Sequence, residues 1–351
     1  MTQSIDAGTR ARTLGIEVTV AAVIDETADA RTIVLDWPHD IAYQPGQFIT
    51  VRIPSEQTGS VARSYSLSTA PGVDPLPAIT VKRTRDGYGS NWLCDNAVEG
   101  LSLHILEPAG TFTPHRWAGT LRLFAAGSGV TPVMSILTTA LAQHDCRVAL
   151  FYANRDDESI IFGSRLAELA ELHSDRLTVN HWLESDRGLP DRAALAEVCH
   201  FDAEDQVFIC GPAPFMDLVE SAVVEPAAGR TLLDRSNVHI ERYVSLTGDP
   251  FTLADAEADA APASVTVVID GESSTITCGH STPLIDAMLT SGIDAPYSCR
   301  EGDCGSCVAR LTSGRVEPGA GTALEPEDID DGYILTCQAK PVGSELSVEF
   351  E

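Results

Sequence analysis

From Ile16 to about Trp117 the chain runs in short apolar segments broken by turn residues. The segments are IEVTVAAVI, RTIVLDW, QFITVRI, AITVKRT and LSLHIL, and Pro45-Gly46, Pro71-Gly72 and Asp86-Gly87 punctuate them. Several β-branched runs at this spacing predict an antiparallel β-barrel. From Leu121 the pattern changes. LRLFAA, VALFYA, LTVNHWL and QVFIC are continuous apolar runs, as buried strands require, while VMSILTTALAQ, SRLAELAEL and PFMDLVESAVV carry helical periodicity. Strands alternating with helices predict a parallel, doubly wound α/β sheet. Residues 249–263, DPFTLADAEADAAPA, are rich in Ala, Asp and Pro and read as linker, and SVTVVID then opens a further unit. The expected division is a disordered tail over 1–15, a barrel over 16–117, an α/β domain over 118–243, a linker over 244–263 and a third domain over 264–351.

Charge narrows the partners. Lys and Arg number 23 against 51 Asp and Glu, a formal charge of −28. Phosphate backbones and anionic lipid both want a basic surface, so nucleic-acid and membrane binding are disfavoured. The stretch 264–351 alone holds 15 acidic residues against 4 basic ones, which suits steering toward a basic protein partner. Apolar residues at 44% and charged residues at 21% are those of a globular protein. No run is long and apolar enough for a spanning helix, and MTQSIDAGTRARTLG lacks the apolar centre of a signal peptide. Nine cysteines without a secretion signal point to a reducing compartment, with the cytoplasm as the expected location.

Four of those cysteines form the strongest motif. Cys299, Cys304 and Cys307 have the spacing C-x4-C-x2-C, and Cys337 follows after 29 residues. This is the plant-type [2Fe–2S] arrangement, and soft thiolates suit iron–sulfur clusters. Gly302 and Gly305 allow the loop to approach a cluster closely. Zinc held by the same thiolates is the alternative, although zinc sites more often show paired C-x2-C halves. Cys94, Cys146, Cys199 and Cys278 lack such spacing and read as packed thiols.

Three further motifs bear on nucleotide chemistry. In Arg63-Ser64-Tyr65-Ser66-Leu67-Ser68 an Arg can grip a pyrophosphate and a Tyr can stack on an aromatic ring, although an ordinary exposed strand has the same pattern. Gly127-Ser128-Gly129-Val130-Thr131-Pro132 follows a strand and opens a helix, where a phosphate can reach backbone amides, and tight packing alone would explain it equally. Cys210-Gly211-Pro212 ends strand QVFIC, a common place for a buried thiol.

Residues 264–351 resemble a plant-type ferredoxin domain, in YSCREGDCGSC (Tyr297 to Cys307) and YILTCQ (Tyr333 to Gln338). The resemblance implies a β-grasp fold with PLIDAMLTSG as its crossing helix. From Ile16 onward the chain resembles the ferredoxin–NADP reductase superfamily, in R-x-Y-S, in G-[ST]-G-[IV]-[AT]-P and in C-G-P. That resemblance implies FAD and a nicotinamide nucleotide. Arg63 and Ser64 would lie at the flavin pyrophosphate, Tyr65 against the flavin ring and Ser66 near its reactive nitrogen. Val81 and Lys82 of the VKRT strand would give backbone contacts. Gly89 and Ser90 of GYGS would meet phosphate, with a helix beginning at Asn91 and Trp92. Gly127, Gly129, Thr131 and Pro132 would take the nicotinamide nucleotide, and Cys210, Gly211 and Pro212 would place its ring. Tyr243, in HIERYVS, would cover the flavin until nicotinamide displaces it. Ser66, Cys210 and Tyr243 are the catalytic candidates, in positioning roles.

The module order resembles the single-chain reductases of multicomponent oxygenases. Nicotinamide delivers two electrons as hydride, FAD holds both, and the cluster passes them on singly to a terminal oxygenase, expected to be a Rieske-type steroid or aromatic-ring hydroxylase. SNWL (Ser90 to Leu93), YANRD (Tyr152 to Asp156) and DRGLP (Asp186 to Pro190) resemble the reductases of 3-ketosteroid 9α-hydroxylases; those of phenylacetyl-CoA epoxygenases share the module order. Asp303 stands where some relatives have His. Acidic residues flank Ser185, which disfavours a 2′-phosphate and favours NADH, while Arg155 keeps NADPH open. A CoA-thioester epoxygenase reductase and a non-catalytic scaffold built on the same folds are the alternatives.

Overall fold

The computed structural model describes residues 14–39, 41–196, 198–224, 233, 235–253 and 259–350. Nearly all of the tail expected over 1–15 lies outside the described residues.

Six antiparallel strands form the first sheet: β1 (Ile16–Thr27), β2 (Ala30–Asp36), β3 (Phe48–Ser55), β4 (Gly59–Ser66), β5 (Ala78–Lys82) and β6 (Ser102–Ile105), in the order β4-β3-β6-β1-β2-β5. A bridge between Leu67 and Ile79 ties the end of β4 back to β5 and closes the sheet into the expected barrel. Its inward side chains include Val20, Ile33, Leu35, Val51 and Ile79, all fully buried. Helix α1 (Tyr88–Asn96) follows β5. It starts three residues before the expected Asn91, because Gly87 takes an extended N-cap conformation and the Ser90 hydroxyl accepts the Thr84 N–H at 3.1 Å, which closes the turn ahead of it.

The second sheet is parallel throughout. Its strands are β7 (Thr120–Ala126), β8 (Arg147–Asn154), β9 (Leu177–Leu183), β10 (Gln206–Cys210) and β11 (Val238–Glu241), in the order β11-β10-β7-β8-β9. Between them run α2 (Val130–Gln143), α3 (Gly163–Leu172), α4 (Glu184–Arg187), α5 (Arg192–Ala196) and α6 (Ala213–Val224). Leu121, Leu123, Leu150 and Tyr152 point to one core with α2. Phe124, Phe151, Val207 and Ile209 point to another with α6. Apolar side chains thus leave the strands on both faces, which explains the continuous rather than alternating runs. Helix α2 is buried at every residue from Val130 to Leu141, so its first turn is rigidly held.

The third sheet is mixed, in the order β13-β12-β16-β14-β15: β12 (Ala263–Ile269), β13 (Glu272–Cys278), β14 (Val308–Glu317), β15 (Tyr333–Leu335) and β16 (Lys340–Glu349). β12 and β16 are parallel and the remaining pairs antiparallel. Helix α7 (Leu284–Thr290) buries Leu284, Ile285, Met288 and Leu289 against it, as a β-grasp requires. A short helix α8 (Pro326–Asp330) precedes β15. Residues Glu17–Ile53 and Arg63–Ser245 belong to one compact unit, and Leu246–Glu351 to another.

Candidate active site and cluster loop

The C-terminal end of β4 carries Arg63, Ser64, Tyr65 and Ser66. The Ser64 hydroxyl is paired with Thr50 Oγ1 at 3.1 Å, and Ser66 is buried. Gly89, in the first turn of α1, backs onto this strand: a Cβ there would stand 2.8 Å from Arg63 Cγ and 3.3 Å from Tyr65 Oη. The two motifs read as flavin-binding therefore meet. Burial pushes the Tyr65 phenol well up, so the ring is neutral and available for stacking. Gly89 and Ser90 lie where helical amides lack intrahelical partners, a favourable place for phosphate. Val81 is buried, with its carbonyl accepting from Cys94 Sγ at 3.5 Å. Lys82 Nζ is 3.9 Å from Asp29 Oδ2, and burial lowers its pKa.

The glycine motif forms a tight turn, Gly127–Gly129, that runs into α2. Thr131 Oγ1 donates to Ser128 O at 3.0 Å, and Pro132 follows in the first helical turn, where a missing N–H costs nothing. Gly129 packs on the Cys210–Gly211 peptide; a Cβ there would lie 2.1 Å from Cys210 O and 2.7 Å from Gly211 N. Cys210 is fully buried, its thiol pushed up by burial, and Pro212 leads into α6. A thiol held neutral is no nucleophile, which agrees with the positioning role expected of it.

Tyr243 joins these elements. Its hydroxyl lies 3.2 Å from Ser66 Oγ and 3.0 Å from Thr131 Oγ1, and it also hydrogen-bonds with the Cys210 thiol. One face of the side chain is open, with 45% of the residue exposed, while the hydroxyl end is enclosed and burial raises its pKa. All three catalytic candidates thus converge on one oxygen atom.

Glu241 escaped the sequence reading. It pairs in register with Cys210 across β10 and β11, and enclosure of its carboxyl pushes the pKa from 4.5 to about 8. The signal was present in Glu241-Arg242-Tyr243, but the motif drew attention to its aromatic residue; burial of the acid depends on strand β11, which the run VHIE is too short to announce. The native state therefore holds a proton here that the unfolded chain loses near pH 4.5. Its stabilising effect is complete below that pH and is lost as pH rises toward about 8. Glu241→Gln is expected to flatten the fall in melting temperature between pH 4.5 and about pH 8. Melting curves of the two proteins at both ends of that window check this; an unchanged slope contradicts it.

In the other unit, the loop after α7 carries Cys299, Cys304 and Cys307, and Cys337 follows β15. The sulfurs fall into two pairs. The Cys304 thiol donates to Cys299 and lowers it to about 6, and the Cys307 thiol donates to Cys337 and lowers it too. Backbone amides add to this: Glu301 N–H reaches Cys299 Sγ at 3.3 Å. Gly302, at φ +88°, has Ala320 O only 2.7 Å from the place of a Cβ. Two thiol pairs fit a binuclear cluster, with two ligands for each iron. Cys94, Cys146, Cys199 and Cys278 are buried thiols, as expected.

Residues 267–342 match the 2Fe-2S iron-sulfur cluster binding domain, and residues 123–221 match the oxidoreductase NAD-binding domain. The chain is 49% identical over 342 residues to the ferredoxin reductase component of 3-ketosteroid-9-alpha-monooxygenase from Rhodococcus rhodochrous, covering 95% of this chain and 96% of that protein. The chain belongs to the 3-ketosteroid-9α-monooxygenase ferredoxin reductase family. The reductase is also 31% identical over 356 residues to a component of the 1,2-phenylacetyl-CoA epoxidase from Escherichia coli, with 95% of this chain and 97% of that one covered. Its fold is that of phthalate dioxygenase reductase, with a TM-score of 0.57 at 23% identity over 96% of this chain and 98% of that one. The reductase is an oxidoreductase with a [2Fe–2S] domain and an NAD-binding domain. Among its described residues no helix is long and apolar enough to cross a membrane.

Proposed function

We propose that this reductase takes hydride from NADH onto FAD and releases the electrons singly, through its [2Fe–2S] cluster, to a terminal oxygenase in the cytoplasm. The observation that carries the reading is the Tyr243 hydroxyl, which touches Ser66 of the flavin motif, Thr131 of the nucleotide loop and the Cys210 thiol at once. Hydride transfer needs positioning above all, and these are the groups that would position it.

Bound FAD and NADH supply the hydride chemistry, and the cluster supplies the one-electron step. Arg63 and the α1 amides at Gly89 and Ser90 would hold the flavin phosphates, and the neutral Tyr65 ring would offer a stacking face to the flavin. Gly127, Gly129, Thr131 and Pro132 would hold the nicotinamide nucleotide, while Cys210, Gly211 and Pro212 would place its ring. Tyr243 would have to give up its contacts with Ser66 and Thr131 to admit that ring. Cys299, Cys304, Cys307 and Cys337 hold the irons. A steroid oxygenase is the proposed partner, because identity to the 3-ketosteroid-9-alpha-monooxygenase reductase, at 49%, exceeds the 31% to the epoxidase component.

NADH is favoured over NADPH by Glu184, which with Gly127, Ser128, Arg155 and Trp182 helps to line a cavity of about 920 Å³. Arg155, the cation nearest in sequence to a 2′-phosphate role, is already paired with Asp29 at 3.1 Å. Glu184 presents a carboxylate that suits a ribose hydroxyl and repels a phosphate. Comparison of kcat/KM for the two nucleotides is expected to favour NADH. A preference for NADPH of about tenfold or more would overturn the assignment.

A further inference from the structure

In the YANRD stretch, Tyr152 to Asp156, Asn154 is the last residue of β8. It is only 7% exposed, and it helps to line the cavity of about 920 Å³ that Gly127 and Ser128 also line. Among the described residues neither its amide nitrogen nor its amide oxygen has a partner at hydrogen-bonding distance. Native interiors seldom leave such a group unsatisfied, because taking it out of water without a replacement partner is costly. Tyr152, two residues earlier, sends its hydroxyl elsewhere: it donates to Gly127 O at 3.2 Å and accepts the Ile161 N–H at 3.2 Å. It bears on Asn154 only from beyond hydrogen-bonding distance. The backbone here is held as well. Asn154 is paired in register with Leu183 of β9, and the Arg155 carbonyl just beyond accepts the Ser185 N–H at 2.8 Å.

The strand order fixes what lies on either side. On one side Ala153 pairs with Ala126, so the glycine turn at Gly127 begins next to Asn154. On the other, Leu183 leads directly into Glu184. Asn154 thus stands at the carboxyl edge of the parallel sheet, where such sheets take their ligands. It lies between a turn suited to phosphate and a carboxylate suited to a ribose hydroxyl. We propose that the Asn154 carboxamide binds the adenosine half of NADH, through the ribose and phosphate oxygens that run between the glycine turn and Glu184. A carboxamide carries both donors and an acceptor, so it can serve a phosphate oxygen and a ribose hydroxyl together. Bound nucleotide then satisfies a buried group that the protein itself leaves unpaired. The inference rests on the proposed use of NADH and adds a binding residue to it.

The test uses the holoenzyme with both cofactors and needs no turnover. Calorimetry gives the dissociation constants of ADP-ribose, which lacks nicotinamide, and of NAD+; thermal unfolding gives the melting temperature without nucleotide. Asn154→Leu keeps the size of the side chain and removes both polar atoms. It is expected to weaken ADP-ribose and NAD+ alike by about tenfold. The melting temperature without nucleotide is expected to hold or to rise, since an apolar group of the same shape buries no unpaired polar atom. A role confined to the fold predicts the reverse, a lower melting temperature with unchanged affinity. Asn154→Ala, judged on affinity alone, is expected to show the same loss and carries the test if Asn154→Leu fails to fold. Affinity for ADP-ribose within about twofold of the parent protein overturns the proposal. So does weaker binding by Asn154→Leu that comes with a lower melting temperature, since a disturbed strand end would then explain it. A loss for NAD+ much larger than for ADP-ribose would put the amide at the nicotinamide half and overturns the assignment as well. Failure of the unaltered protein to bind either nucleotide would sink the proposed use of NADH, and this inference with it.

Discussion

Replacing Cys304 with Ser is expected to cut electron delivery to the oxygenase by about a hundredfold or more, while NADH still reduces small dyes at a near-normal rate. The reason lies in how the sulfurs pair. Cys304 and Cys299 form one pair, Cys307 and Cys337 the other. Each pair would serve one iron, so losing one thiolate leaves that iron with half its protein ligands. A serine oxygen is a harder donor on a shorter side chain, and it substitutes poorly for a thiolate. The groups proposed to handle hydride, Ser66, Thr131, Cys210 and Tyr243, belong to the other compact unit, so flavin reduction should persist. Measuring oxygenase product alongside dye reduction separates the two steps. Unimpaired product formation by Cys304→Ser would mean that electrons bypass the cluster.

Gly129→Ala is expected to produce the opposite pattern, with the cluster intact and hydride transfer lost. The added Cβ would meet Cys210 O at 2.1 Å, Cys210 C at 2.4 Å and Gly211 N at 2.7 Å. These are backbone atoms at the end of a fully buried strand, with no rotamer to swing aside. Either the glycine turn or the C-G-P turn must move by about 1 Å, and a misplacement of that size can cost about a hundredfold in rate. Overpacking of this kind also destabilises by about 1–3 kcal/mol. NADH-dependent dye reduction should fall about a hundredfold while bound FAD and cluster absorption remain. Dye reduction within about twofold of the parent protein would show that the contact between the two turns does not position the nicotinamide.

The apolar runs located the elements well where burial is one-sided or two-sided along a whole strand. QFITVRI became β3, VALFYA β8 and VMSILTTALAQ α2. Short, half-buried pieces were less visible. β11 is four residues of intermediate burial, and only its parallel pairing to β10 makes it a strand. The cysteine ligands were legible because their spacing is itself the chemistry. The meeting of Ser66, Thr131, Cys210 and Tyr243 was not, because Ser66 and Thr131 lie 177 and 112 positions from Tyr243, and only the fold brings them to one hydroxyl. The start of α1 was misplaced for a local reason: a hydroxyl closing a turn onto Thr84 N–H leaves no trace in hydrophobic periodicity.

The most direct test of the account is elemental analysis of the intact protein isolated without oxygen, with iron, zinc and acid-labile sulfide counted per chain. The two thiolate pairs predict two irons and two sulfides in each molecule and no stoichiometric zinc. One zinc per chain, with no labile sulfide, would contradict it.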